Sequence, residues 1–167
     1  MDRDVKRRDA DLVELARAAL EKAWCPYSGF RVGVALLSTD GQVFTGCNVE
    51  NASDGLTICA ERTAVVKAVS EGARSFLAMG LVTDSEEALL PCGACRQFLM
   101  EFAPDLRVIA AGKAGDLRIC SLKELLPGAF GARDLAATLD AAQQGGGSGA
   151  SGAGTSGAGE GPHICDQ

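Results

Sequence analysis

Two short stretches of this chain hold thiols beside a carboxylate and arginines: Cys59-Ala60-Glu61-Arg62 and Pro91-Cys92-Gly93-Ala94-Cys95-Arg96. Cys92 and Cys95 stand three residues apart, so on a helix they share one face of a single turn. Pro91 suits the start of that helix, and Cys59 opens another. A thiol at a helix N-terminus meets free N–H groups and the positive end of the dipole, which favour the thiolate. Three converging thiolates repel one another unless a cation joins them. Zn²⁺ fits this donor set, being tetrahedral, tolerant of soft sulfur and without redox chemistry of its own. Three protein ligands with no evident fourth leave one position for water, the pattern of a catalytic zinc. Water so held falls from a pKa of about 15.7 toward roughly 7. Thiolates load the metal with more negative charge than imidazoles and weaken that effect. Helix dipoles and a nearby cation offset it, so Arg62 or Arg96 is expected to donate to a ligand sulfur. Glu61, two residues past Cys59, is placed to carry a proton beside the metal without binding it.

Other assignments exist for each stretch alone. Cys92 and Cys95 could be a redox dithiol. With Cys47 or Cys120 as fourth ligand, the thiols could form a structural zinc clip. Glu61 could be an ordinary acid favoured by the dipole of a first helical turn. Each of these explains one stretch, whereas a working zinc site explains both. The chain has seven cysteines, an odd number, and its start reads as neither a signal nor a transit peptide. A reducing, cytoplasmic setting is therefore expected. His163 is the only histidine, so a metal site in the folded part must use thiolates and carboxylates.

The elements that must position these residues can be laid out from periodicity. Leu12, Leu15, Ala16, Ala19 and Leu20 predict an amphipathic helix over 9–23, ended by Pro26. Strands are predicted at 30–38 and 42–50 around a Thr39-Asp40-Gly41 hairpin turn, followed by a polar loop at 51–57. A helix over 58–71, a strand over 76–83 and a helix from Cys92 to Phe102 follow. Strands at 107–111 and 117–120 and a short helix at 121–125 complete the order. Helices alternating with strands after an initial hairpin predict an α/β fold with a mixed sheet covered on both faces. Residues 1–143 are expected to form one domain, and 144–167, rich in Gly, Ser and Ala, a disordered tail. A net charge of −6 argues against a protein that grips polynucleotide phosphates. No apolar run is long enough for a membrane span.

With these residues in place, the chain resembles the small zinc-dependent cytidine deaminases. The resemblance rests on the two thiol stretches, on Tyr27-Ser28-Gly29-Phe30-Arg31-Val32-Gly33, on Gly46-Cys47-Asn48-Val49-Glu50-Asn51-Ala52 and on Leu125-Leu126-Pro127-Gly128-Ala129-Phe130. It implies a three-layer α/β/α fold with a mixed five-stranded sheet, a homotetramer, and one Zn²⁺ per chain on Cys59, Cys92 and Cys95. It implies hydrolytic deamination of cytidine and deoxycytidine in pyrimidine salvage. Zinc hydroxide would attack C4 while Glu61 shuttles the proton, with Arg62 supporting the ligands. Asn48 and Glu50 would bind the ribose, Phe30 would pack on the pyrimidine, and Ala60 would contact the substrate. Phe130 would close a site, a neighbour's included. The expected partner is a small nucleoside, with neither nucleic acid nor membrane. Asp54 stands where the family commonly has Tyr. It could bond the sugar, pair with Arg31 or lie in solvent, and it leaves room for a modified cytosine nucleoside or nucleoside antibiotic as substrate. A non-catalytic zinc-binding module on the same scaffold is the rival from another class, and a polynucleotide editor is a further one.

Overall fold

The computed structural model describes residues 3–136 and 138. They belong to two units that divide after Ala132; in the second, residues 133–136 and 138 are helical. The expected tail at 144–167, with His163 and Cys165, lies outside the described residues.

α1 (Arg3–Leu20) buries Leu12, Val13, Ala16 and Leu20 along one stripe. It stops three residues before the end that periodicity predicts. Trp24 bridges in parallel to Val49, its N–H donating to the Asn48 carbonyl at 3.0 Å. A residue held in that bridge cannot continue the helix, so the pairing ends α1 ahead of Pro26.

β1 (Val32–Ser38) and β2 (Val43–Cys47) form the predicted hairpin. β3 (Phe76–Thr83), β4 (Arg107–Ala111) and β5 (Leu117–Ser121) complete a sheet of order β2-β1-β3-β4-β5. Only β3 and β4 run parallel. β1 starts at Val32, two residues later than predicted, and β2 ends at Cys47 because the chain beyond it leaves the ladder for bridges of Val49 to Trp24 and Ile58. Side chains alternate across the sheet. Ala35, Ala78, Val82 and Ile109 pack under α1. Val34, Leu36, Met79, Leu81 and Val108 face α2 (Ala60–Ser70) and α3 (Gly93–Met100). The chain thus has the mixed five-stranded sheet and the three α/β/α layers expected from its sequence. α4 (Leu122–Leu125) starts from a capping box in which Ser121 and Glu124 each satisfy the other's backbone N–H. Among the described residues no helix is long and apolar enough to cross a membrane.

Gly46 sets the height of α2 over the sheet. A Cβ there would lie 2.6 Å from both the Ala60 carbonyl oxygen and the Ala64 nitrogen. Both are backbone atoms and cannot swing aside. Gly46→Ala should therefore lower the unfolding free energy by about 3 kcal/mol, an overpacking cost, read as a lower urea midpoint.

Candidate metal and substrate site

Both thiol stretches fold as helix N-termini. Cys59 is the N-cap of α2 and Cys92 the N-cap of α3, each in extended backbone with ψ of 151° and 164°. Cys95 lies in the first turn of α3 and is fully buried. The three sulfurs all lie within 4.8 Å of one another, the one such thiol or carboxylate group among the described residues. Cys47 and Cys120 are not part of it; Cys47 instead donates to the Lys22 carbonyl at 3.3 Å. The structural clip therefore has no fourth thiol among the described residues.

Arg62 is the expected cation behind the ligands. Its Nη2 donates to the Cys59 sulfur at 3.6 Å and to the Thr57 carbonyl at 3.1 Å, and its buried Nε has no partner. Arg96 does not serve this role. Its Nε donates to the Pro91 carbonyl at 2.7 Å and its Nη1 to the Leu125 carbonyl at 2.8 Å. It ties the start of α3 to the end of α4. The sulfurs share protons unequally. Hydrogen bonds from Cys95 and Arg62, opposed by burial, take Cys59 down to about 5. That same bond to Cys59, together with burial and the charge of Glu61, pushes Cys95 up. One guanidinium stabilises one thiolate in this cluster. Holding all three ionised needs a further positive charge among them, and the donor set suits Zn²⁺.

Glu61 sits on the first turn of α2, 5% exposed. Burial, with a smaller push from Cys59, raises its carboxyl above the usual range. A buried carboxyl whose charged form is disfavoured is suited to taking up and returning protons.

Cys59, Cys92 and Glu61 open onto a cavity of about 300 Å³, whose lining does not include Cys95 or Arg62. Phe30, Asn48, Glu50, Cys59, Glu61 and Cys92 all line it. The sequence thus located six residues of one wall set, drawn from four separate segments. Ala60 is buried and outside the lining, and Phe130 is also outside it, 61% exposed, its carbonyl held by Gln97 Nε2 at 2.7 Å. Ser28, Leu81 and Thr83 line the cavity without having been assigned a role. Strand parity carries the signal for two of them, since Leu81 and Thr83 share the face that α2 and α3 cover. Asp54 is exposed, at the start of a 3-10 turn over Asp54–Leu56. It does not pair with Arg31, whose guanidinium is held by Asp84 at 2.9 and 3.1 Å and by Glu21 at 2.8 Å.

A thiol-lined metal site at two helix N-termini, on a mixed sheet between helical layers, defines a deaminase-type zinc protein. Residues 6–111 match the family model described as the cytidine and deoxycytidylate deaminase zinc-binding region. The cytidine deaminase of Halalkalibacterium halodurans is 50% identical over 125 residues, covering 74% of this chain and 95% of that protein. The cytidine deaminase of Mycobacterium tuberculosis is 45% identical over 120 residues, 72% of this chain and 87% of its own length. The crystal structure of the Burkholderia pseudomallei cytidine deaminase superposes with a TM-score of 0.71 at 50% identity, covering 72% of this chain and 98% of that one. This chain belongs to the zinc-binding cytidine deaminase family.

Proposed function

We propose that this protein hydrolytically deaminates cytidine and deoxycytidine to uridine and deoxyuridine, releasing ammonia. The observation that carries this is a cluster of three thiols, two of which, Cys59 and Cys92, share the wall of a nucleoside-sized cavity with one buried carboxyl, Glu61. Cys59, Cys92 and Cys95 would hold one Zn²⁺, which would supply a Lewis acid that lowers the pKa of water at neutral pH. Glu61 accepts the proton released from water and delivers it to ring N3, then takes the proton of the new C4 hydroxyl and passes it to the amine, which leaves as ammonia while C4 becomes a carbonyl. Arg62 keeps Cys59 ionised and oriented. Ala60, first residue of α2, offers an N–H that the helix leaves unpaired. Phe30 packs against the pyrimidine, and Asn48 and Glu50 take the sugar hydroxyls. Exposed Trp24, Tyr27, Leu56 and Phe130 support a homotetramer in which Phe130 closes a neighbour's site. The role is pyrimidine salvage in the cytoplasm.

Zinc-loaded protein given cytidine or deoxycytidine should lose the cytosine absorbance with one ammonia released per nucleoside. Deoxycytidine 5′-phosphate should react far more slowly. Protein with one zinc per chain that frees no ammonia from any cytosine nucleoside would be a binding module instead.

A further inference from the structure

Asn48 and Glu50 face the cavity, yet most of their polar capacity is spent on the chain itself. Asn48 Oδ1 accepts from the Val32 N–H at 2.9 Å, and Asn48 Nδ2 donates to the Phe30 carbonyl at 2.8 Å. Glu50 Oε2 accepts from the Tyr27 N–H at 2.9 Å and the Ser28 N–H at 3.2 Å, and Glu50 Oε1 accepts from the Ser28 hydroxyl. The Ser28 oxygen in turn accepts from the Phe30 N–H at 3.0 Å. Both backbone polar groups of Phe30 are therefore held from Asn48 and Glu50, one directly and one through Ser28. The Glu50 N–H separately donates to the Trp24 carbonyl at 2.7 Å, tying Glu50 to the segment that leads into Tyr27 and Ser28. Gly29, at φ 67°, makes the left-handed turn that brings Ser28 and Phe30 to the same side.

We propose that Ser28 is a positioning residue that couples the sugar-binding carboxylate of Glu50 to the aromatic wall at Phe30. This rests on the assignment of Glu50 to the sugar and Phe30 to the base. A carboxylate offers about four acceptor directions, and three are filled by residues 27 and 28. The remaining one is aimed by those three bonds, so a sugar hydroxyl donating to it meets a preset oxygen. The same bonds place Phe30, so sugar and base walls shift together. The Ser28 hydroxyl, then the Tyr27 and Ser28 N–H groups, also hold the Glu50 carboxyl below the usual range against partial desolvation, keeping it an acceptor.

The test uses zinc-loaded wild type, Ser28→Ala, Ser28→Thr, Glu50→Gln and the Ser28→Ala/Glu50→Gln double variant, with steady-state kinetics on cytidine. Ser28→Ala should raise KM about tenfold, the low end for losing a hydrogen bond to a charged group, with kcat within about twofold of wild type. Ser28→Thr, which keeps the hydroxyl, should stay within about threefold of the wild-type KM. In the Glu50→Gln background, removing the Ser28 hydroxyl should cost less than about threefold, because coupled residues are not additive. An unchanged KM in Ser28→Ala, equal losses in Ser28→Ala and Ser28→Thr, or multiplicative losses in the double variant would each overturn the role of Ser28. Glu50→Gln alone leaving KM unchanged would instead remove the sugar assignment beneath it.

Discussion

Glu61→Gln should keep one zinc per chain and lower kcat on cytidine by about 10⁴-fold, the upper end for losing a general acid–base group. The reason is that one carboxyl serves every proton transfer in the proposed reaction. Gln keeps the shape and neutral polarity of protonated Glu61 but cannot accept a proton. No other group in the cavity can stand in. Glu50, the second carboxylate of the wall, is committed to Tyr27 and Ser28. The thiols Cys59 and Cys92 belong to the sulfur cluster assigned to the metal. The Glu61 carboxyl falls outside the cluster of three sulfurs.

The same substitution removes a carboxyl that burial disfavours as a charge, so the variant should melt no lower than wild type. Zinc is read by metal analysis and turnover by loss of cytosine absorbance. Retained zinc with retained turnover would move the proton-transfer role away from Glu61. Lost zinc would show that Glu61 supports the metal, a role the sulfur cluster does not predict.

Much of this site was legible in the sequence because its parts are local. A cysteine before a helix, two cysteines one turn apart and a carboxylate two residues on are relations within a few residues, and helix geometry fixes what they share. The strands were legible for the same reason, since alternation of Ala35 with Val34 and Leu36 needs no partner to be seen. What could not be read is set by distant pairing. The end of α1 at Leu20 depends on Trp24 meeting Val49, and nothing near Trp24 announces that bridge. Arg96 looked equivalent to Arg62 in spacing, yet it turns to Pro91 and Leu125 because α4 packs beside α3. Arg31 is claimed by Asp84 from the end of β3, which leaves Asp54 to solvent. The role of Ser28 has the same origin, a contact between positions 22 residues apart.

Cys95→Ala should strip the metal and with it the activity. Zinc sites with four protein ligands bind with about 10–16 kcal/mol, so one thiolate is worth roughly 3 kcal/mol, more than 10²-fold in affinity. The effect should be larger at Cys95 than at Cys92. Cys95 is fully buried inside the first turn of α3, where water cannot replace its sulfur without opening the helix packing, whereas Cys92 is exposed at the cap. The purified variant should carry less than a tenth of a zinc per chain and lose more than about 10³-fold in kcat/KM. Cys47→Ala and Cys120→Ala are the controls. Neither sulfur belongs to the cluster, so both variants should keep zinc and turnover. If either one lost its metal, the site would have four thiol ligands and no position left for water, and the catalytic assignment would give way to a structural one.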